Sequence, residues 1–300
     1  MRPLRGIILK LCSVLVFIVM SSLIKTTAQH VPAGQAVFFR SLFAIPVIVV
    51  WLALRKELRT GFQTPNPAGP VWRGLMGTLA MGVGFAGLAS LPLPEVTAIG
   101  YTAPLLVVVF AAMFLGEEVR LFRIASVALG LVGVMIVLSP RLTVVSGETA
   151  SHREAFGAML VLAGAVFAAL AQVFVRKPVR TEATGTIVFY FSLTATVLSL
   201  ATLPFGWVVP TPVESMTLIA AGLLGGVGQT LLTSSYRHAD ASLVAPFDYA
   251  SMLFALLIGY FVFAEVPTVT MLTGAALVVT AGILIIWRER RLGLERTAGR

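Results

Sequence analysis

The chain has 300 residues, of which 58% are hydrophobic and 12% are charged, with a mean hydropathy of +0.95 and a formal net charge of +9. Soluble domains carry about 25% charged residues. No polar stretch is long enough to form a soluble catalytic domain. The composition therefore predicts an all-α, polytopic membrane protein with little mass outside the lipid.

Apolar segments long enough to cross a bilayer follow one another along the whole chain, since a hydrocarbon core of roughly 30 Å needs about 20 residues of helix. Ten such segments, called spans one to ten here, are Gly6–Thr27, Ala33–Leu54, Val71–Leu91, Pro94–Leu115, Leu121–Ser139, Gly157–Val175, Thr186–Leu203, Ser215–Ser235, Ala241–Phe263 and Val269–Trp287. Pro46 and Pro104 lie inside spans two and four, where a proline is expected to kink a helix.

The distribution of lysine and arginine predicts the orientation of the chain. With both termini in the cytoplasm, 18 of the 22 Lys and Arg residues belong to inner segments, Lys10 among them. Lys25, Arg141 and Arg153 are then outside, and Arg40 lies within span two. This bias follows the positive-inside rule, so we expect a multi-pass membrane protein with both termini in the cytoplasm. A basic inner rim facing anionic lipid explains the net charge, and no nucleic-acid partner is expected.

The N-terminal segment starts like a signal peptide but has no small-residue cleavage site, so span one is expected to remain in the protein. Cys12 is the only cysteine. An internal disulfide and a cysteine-based metal cluster are therefore excluded. We expect no catalytic residues, no metal and no cofactor.

The chain contains a weak internal repeat. With an offset of 148 residues, Tyr101 aligns with Tyr249, and with an offset of 151 residues, Val37–Ser41 aligns with Val188–Ser192. Chance similarity between apolar segments is the alternative explanation. The alignment predicts two repeats of five spans each, residues 1–140 and 155–290, followed by a cytoplasmic tail at 291–300. Because five is an odd number, the second repeat is inverted relative to the first.

Ionisable residues inside a membrane are costly and usually face a cavity or a partner. Arg40 lies about seven residues into span two, roughly 10 Å deep. It is either an anchor for an anionic or carbonyl-rich substrate or a structural partner for a carboxylate or for helix carbonyls. Glu95, at the start of span four, is expected to pair with Arg40 or Lys25, or to be interfacial. Asp248 in span nine is the candidate for proton coupling or substrate binding, with a fixed hydrogen bond to Tyr249 or a neighbouring helix as the alternative.

Uncharged polar residues complete the candidate site. Tyr101, Tyr190, Gln229 and Tyr249 come from spans four, seven, eight and nine. Aromatic rings and amides can hold a flat molecule by stacking and by hydrogen bonds to its edges. Hydrogen bonding between helices is an equally good explanation for any one of them.

The segment Gly82–Gly87 matches the pattern GxGxxG of dinucleotide-binding proteins. That pattern needs a strand before it and a helix after it, whereas this copy lies within an apolar span. Close packing between helices is the better interpretation.

Several segments together resemble the drug/metabolite transporter superfamily, in particular its EamA type. They are Phe39–Ala44, Ala103–Leu105, Phe114–Glu118, Leu129–Val134 and Phe261–Glu265. Met252 stands where a proline is expected. The resemblance covers nearly the whole chain and implies ten helices in two inverted repeats. The segment Leu91–Tyr101 is most similar to family members of the RibN type, which are assigned to riboflavin uptake.

The resemblance implies a secondary transporter that works by alternating access, as a monomer or a homodimer. Riboflavin uptake is the most specific prediction, with Arg40, Tyr101, Tyr190, Gln229 and Tyr249 as the binding residues and Asp248 and Glu95 as the coupling residues. The same residues suit a nucleobase or an aromatic amino acid, so export of amino acids, nucleobases or drugs is an alternative. An intramembrane enzyme or a channel is an alternative of another class, although the sequence lacks the clustered His and carboxylate residues of such an enzyme.

Overall fold

The computed structural model describes residues 3–56, 58, 68–115, 121–142, 149–175, 184–238 and 241–298. This part of the chain contains helices and short turns and no β-strand. Its α-helices are α1 (Pro3–Thr27), α2 (Ala33–Leu42), α3 (Ala44–Leu54), α4 (Ala68–Leu88), α5 (Leu93–Gly100), α6 (Thr102–Leu115), α7 (Leu121–Leu142), α8 (Thr149–Val175), α9 (Thr184–Leu200), α10 (Pro212–His238), α11 (Ala241–Val244), α12 (Ala250–Phe263) and α13 (Val269–Ala298).

All ten predicted spans are helical. Among the described residues, eight segments are long and apolar enough to cross a membrane. Two shorter apolar helices, Ile124–Pro140 and Gly185–Leu200, occupy the positions of spans five and seven. α8 starts earlier than span six was predicted to start, and α13 continues to Ala298 through most of the predicted tail. The chain is therefore a multi-pass membrane protein.

Spans two, four and nine are each interrupted in the middle. α2 ends at Leu42 and α5 ends at Gly100, each four residues before a proline. The ring of Pro46 or Pro104 collides with the carbonyl group four residues earlier and offers no N–H, so the helix breaks there. This confirms the two predicted kinks. In span nine, a 3₁₀ turn at Ala245–Tyr249 separates α11 from α12.

The pairs of helices that pack together stay the same when the two repeats are interchanged. α1 packs along α10, and the counterparts of these two helices, α8 and α4, pack along each other. The pairs α7 with α13 and α2 with α9 each join a helix to its own counterpart. Inverted repeats related by a two-fold axis in the membrane plane produce this pattern. The fold is all-α, with ten transmembrane helices in two inverted five-helix repeats.

The two repeats share their hydrophobic cores. One core joins Ile18 and Met20 of the first repeat to Leu218 and Ala255 of the second. A second, larger core joins α5–α7 to α8, α12 and α13, and two smaller ones join α3 to α9 and α6 to α8. Each repeat therefore buries apolar surface against the other, and a movement of one against the other changes these cores.

Glycines allow the closest helix contacts. A Cβ atom on Gly133 of α7 would lie 2.7 Å from the carbonyl oxygen of Gly274 on α13, and a Cβ on Gly274 would lie 2.6 Å from the carbonyl oxygen of Gly133. Gly87 lies against Val161 of α8 in the same manner. Gly82 faces open space. The GxGxxG pattern thus belongs to a membrane helix, and Gly87 is the position where it permits close packing.

Candidate functional site

Arg40 is buried in the last turn of α2, with 4% of its surface exposed. Its guanidinium carbon lies 5.5 Å from the centre of the Phe191 ring on α9. The Nε atom is buried without a hydrogen-bond partner, and within the described part of the chain Arg40 forms no ion pair. Gly225 of α10 makes room for it, because a Cβ there would lie 3.0 Å from Arg40 Nε. The structure thus holds a buried cation whose charge no described carboxylate neutralises.

Phe191 connects Arg40 to a cavity of about 750 Å³. The cavity lies between α4, α5, α6, α8 and α9, and Phe191 forms part of its wall. The wall is mainly apolar and includes small residues such as Gly77, Gly84 and Gly164. Arg73 and Gln172 are its polar members. Ligand pockets commonly have this volume and combine apolar walls with a few polar groups.

Tyr101 and Tyr249 contact each other at the breaks of spans four and nine. Their ring centres are 4.9 Å apart with the ring planes at 66°. The Tyr101 hydroxyl lies 2.5 Å from Ser251 Oγ and 3.3 Å from the carbonyl oxygen of Tyr249. These contacts connect the two interrupted helices to each other. The structure therefore brings together two of the predicted site residues, in an arrangement that ties the two repeats together.

Asp248 forms an ion pair with Lys10, with 2.7 Å between Lys10 Nζ and Asp248 Oδ1. The Lys10 side chain is 1% exposed, whereas the Asp248 side chain is 49% exposed. Lys10 was counted with the charges of the inner rim, and that assignment is wrong. α1 begins at Pro3, which places Lys10 two turns inside the helix, where it faces the other repeat.

Lys25 pairs with Glu265, whose Oε1 lies 2.6 Å from Lys25 Nζ. The second oxygen of Glu265 accepts a hydrogen bond from the N–H group of Leu93 at 2.9 Å, which caps the start of α5. Lys25 also donates to the carbonyl oxygen of Leu91. The carboxylate that neutralises Lys25 is thus on the loop after span nine. Glu95, the partner expected from the sequence, is buried on α5 and shares a small cleft with Glu265.

Tyr190 and Gln229 lie on α9 and α10. Tyr190 packs edge-to-face against Phe189 at 5.7 Å and is the sequence neighbour of Phe191. Gln229 is half-buried on α10, one turn after Gly225. Of the predicted residues, Tyr101, Tyr249 and Asp248 are thus joined by contacts at the helix breaks, whereas Tyr190 and Gln229 lie on the two helices, α9 and α10, that approach Arg40.

Three residues that contact the charged side chains described above were not recognised from the sequence. Phe191 was known only as the repeat counterpart of Arg40, Lys10 was taken for a rim charge, and Glu265 was taken for a family marker at a helix end. A lysine two turns into an apolar helix was a usable signal, because such a charge needs a partner at that depth.

Ten helical spans in two inverted repeats, with helices interrupted near the middle of the membrane, are the architecture of a secondary transporter. The model of the EamA-like transporter family matches residues 4–139 and 155–287. The chain belongs to this family. It is a transporter of small molecules embedded in the lipid bilayer, as the sequence predicted, and not an enzyme.

Named relatives are transporters with different substrates. The pseudopaline exporter CntI of Pseudomonas aeruginosa is 31% identical over 93% of this chain and 95% of its own length. The S-adenosylmethionine uptake transporter of Rickettsia bellii is 28% identical over 85% of this chain and 82% of its own length. The riboflavin transporter of Rhizobium johnstonii is 29% identical over 87% of this chain and 83% of its own length.

A solved crystal structure superposes on the chain with a TM-score of 0.65. The superposition covers 96% of this chain and 98% of the solved chain, and the two sequences are 21% identical. At this identity the likeness shows the fold alone.

Proposed function

We propose that the chain is an inner-membrane carrier that works by alternating access and binds the anionic or carbonyl-rich group of a small organic metabolite at Arg40. The observation that carries the proposal is the buried guanidinium without a described carboxylate partner. An uncompensated buried charge is costly. A substrate that supplies the missing acceptor offsets that cost and is thereby selected.

The fold supports alternating access. The repeats share their hydrophobic cores, and interrupted helices from both repeats meet at the Tyr101–Tyr249 contact. Rocking of one repeat against the other changes which side of the membrane reaches the centre. The sequence has no P-loop motif, so an ion gradient or exchange of substrates supplies the energy.

Riboflavin is the first particular substrate to test. Its ring system is flat and neutral, with carbonyl groups along one edge. The Phe191 ring offers a stacking surface, and the Arg40 fork offers paired donors for carbonyl oxygens. The cavity of about 750 Å³, whose wall includes Phe191 and not Arg40, is large enough for such a molecule and lies directly beside the Arg40–Phe191 contact. The relative named riboflavin transporter, 29% identical, favours the same substrate.

Complementation tests the riboflavin proposal. A bacterial strain that cannot make riboflavin is supplied with this gene, and growth is measured at low external vitamin. We expect rescue by the natural chain and not by the Arg40→Gln variant at equal abundance in the membrane. A well-expressed natural chain that fails to rescue growth overturns the assignment to riboflavin.

Export of a carboxylate-bearing metabolite is the second candidate. It is favoured by the exporter from Pseudomonas aeruginosa, 31% identical over 93% of this chain. A guanidinium fork binds a carboxylate with two parallel hydrogen bonds. Cells that carry the gene are loaded with labelled amino acids, and efflux is followed over time. Efflux that depends on Arg40, together with failed riboflavin rescue, selects this candidate.

The orientation with both termini in the cytoplasm is also part of the proposal, and the lysine and arginine bias supports it. The named relatives come from bacteria, which favours the inner membrane. We propose one substrate site per chain, whether the protein is a monomer or a homodimer.

A further inference from the structure

We infer that Lys10 and Asp248 form the proton-coupling pair of the transporter, in which a proton taken up by Asp248 releases Lys10 and drives the two repeats apart. The inference rests on the proposed transport function and identifies the ion that drives it. Lys10 is on α1 in the first repeat, and Asp248 is on the 3₁₀ turn that interrupts span nine in the second. The pair therefore bridges the surface along which the repeats move.

The two side chains of the pair differ in exposure, and a proton-coupling site needs its carboxylate to be the more accessible of the two. The Lys10 side chain is 1% exposed and the Asp248 side chain is 49% exposed. The carboxylate is thus the accessible member of the pair, while the ammonium group is enclosed by protein. Protonation of Asp248 removes the ionic attraction between the two side chains, which joins α1 to span nine. The packing of α1 against span nine hence depends on the charge of Asp248.

The proton step is simple. A proton from the aqueous phase binds Asp248 Oδ1, and the carboxylate becomes a neutral carboxylic acid. Lys10 keeps its own proton, and no covalent bond to carbon changes. The enclosed ammonium loses the negative charge that lay 2.7 Å away. This destabilises the arrangement in which α1 packs on span nine, and loss of the proton restores it.

The position of Asp248 connects this step to the rest of the fold. Tyr101, at the break of span four, directs its hydroxyl to Ser251 and to the carbonyl oxygens of Asp248 and Tyr249. A displacement of the turn at 245–249 is thereby passed to span four. Span four also lines the cavity, through Gly100 and Ala103. Proton uptake at Asp248 and substrate binding in the cavity act on the same interrupted helix.

Few other charged side chains of the described residues face Asp248. Among the described residues, the titratable side chains that face Asp248 are Lys10 from α1, Tyr101 from the α5–α6 junction and Tyr249 on its own turn. His238 of α10 directs Nδ1 to the Ser234 carbonyl oxygen at 2.8 Å. Arg288 of α13 lies over Phe122 at 5.9 Å. Tyrosine hydroxyls stay protonated over the physiological range, so Asp248 is the group here that changes charge.

A distance measurement tests the inference without any substrate. The only native cysteine is replaced with Cys12→Ser, and spin labels are attached after Leu4→Cys on α1 and Leu253→Cys on α12, both of which are exposed positions. The full-length protein is measured in lipid in acidic and in alkaline buffer. We expect the distance distribution to change with pH in the otherwise natural chain and to be independent of pH in Asp248→Asn. An Asp248→Asn variant that keeps the natural pH response overturns the inference.

Transport in proteoliposomes gives the second readout, with riboflavin as the probe. For one proton per neutral substrate, a gradient of one pH unit supports about tenfold accumulation. We expect Asp248→Asn to lose this accumulation and to retain exchange of internal for external riboflavin. A merely structural role would diminish both processes together. Accumulation driven equally well by a sodium gradient without a pH gradient overturns the choice of the proton.

The double variant Lys10→Gln with Asp248→Asn is the control for folding. It removes both charges of the pair together, and its abundance is expected to exceed that of Asp248→Asn alone. If the natural chain does not move riboflavin and the labelled distance still responds to pH through Asp248, the choice of substrate fails and the coupling pair stands.

Discussion

Arg40 contacts its own repeat counterpart: its guanidinium carbon lies 5.5 Å from the ring centre of Phe191, the residue aligned with it at an offset of 151. Equivalent positions meet where a two-fold axis passes between them. This contact therefore marks the centre of the interface between the repeats. The two positions carry different side chains, so the axis passes through a chemically asymmetric site, with a cation on one side and an aromatic face on the other.

The first prediction concerns Arg40. Arg40→Gln removes the positive charge and the paired N–H donors of the guanidinium group. Hydrogen bonds that involve a charged group contribute about 1.5–3 kcal/mol. We expect the apparent affinity for substrate to fall by about 10- to 100-fold. Arg40→Lys keeps the charge and is expected to recover only part of the loss, because an ammonium group cannot form paired bonds. Uptake kinetics at equal membrane abundance measure both effects.

Phe191→Leu is the matched variant across the interface. It keeps an apolar side chain beside Arg40 and removes the aromatic face, whose interaction with a cation is worth about 0.5–2 kcal/mol. We expect a smaller loss of affinity than in Arg40→Gln. Normal transport by Arg40→Gln would exclude a binding role for Arg40, and a collapse of abundance would make it structural.

The second prediction concerns the Lys25–Glu265 pair. Glu265→Gln keeps an acceptor for the Leu93 N–H group and removes the charge beside Lys25. Lys25 is then left partly buried without its counter-ion, and we expect the free energy of unfolding to fall by about 1–3 kcal/mol. Thermal unfolding of the purified protein measures the change.

Glu214→Gln is the control for that experiment. Glu214 pairs with His30, whose side chain is 51% exposed, at 3.0 Å. Pairs at an exposed surface add little to stability. If both variants lower the unfolding temperature equally, the special role of Glu265 as cap and counter-ion is refuted.

The third prediction concerns helix packing. Gly133→Ala places a Cβ 2.7 Å from the carbonyl oxygen of Gly274 and 2.9 Å from Leu277 Cβ. The helices α7 and α13 must separate to admit it, at a cost of about 1–3 kcal/mol. Gly82→Ala, where a Cβ meets nothing within 4 Å, is the matched control. There the greater helix propensity of alanine, about 1 kcal/mol, is expected to hold or raise stability. Equal effects of the two substitutions would contradict the packing argument.

The fourth prediction concerns topology. Reporter fusions after Arg59 and after Arg180 are expected to read as cytoplasmic, and a fusion near Ser146 as periplasmic. These three positions lie outside the described residues. The expectation rests on the charge bias and on the odd number of spans in each repeat. A periplasmic signal after Arg180 would refute the inversion of the second repeat.

Much of the architecture was predictable because the bilayer imposes it. Backbone groups in lipid must be satisfied within the helix, so length and hydropathy alone locate the spans. The breaks of spans two and four were predictable as well, since Pro46 and Pro104 remove a helix hydrogen bond wherever they stand. Asp248 and Arg40 stood out because charges are rare at that depth.

The partners of these charges were decided by the tertiary structure alone. Lys10 and Asp248 are 238 positions apart in the chain, and Lys25 and Glu265 are 240 positions apart. Local patterns hold no information about which helices pack together, and several pairings were compatible with the same spans. Lys10 pairs with Asp248 because α1 packs against the second repeat. Lys25 pairs with Glu265 because the loop after span nine lies beside the end of α1. The sequence by itself determined that this chain crosses the membrane ten times as two inverted halves. The hydrophobicity of each segment is a local property that locates the spans, and an odd number of spans in each half inverts the second half relative to the first. Only the fold decided that Lys10 and Lys25 are neutralised and that the buried Arg40 has no carboxylate partner among the described residues, because ion pairing depends on distances between helices.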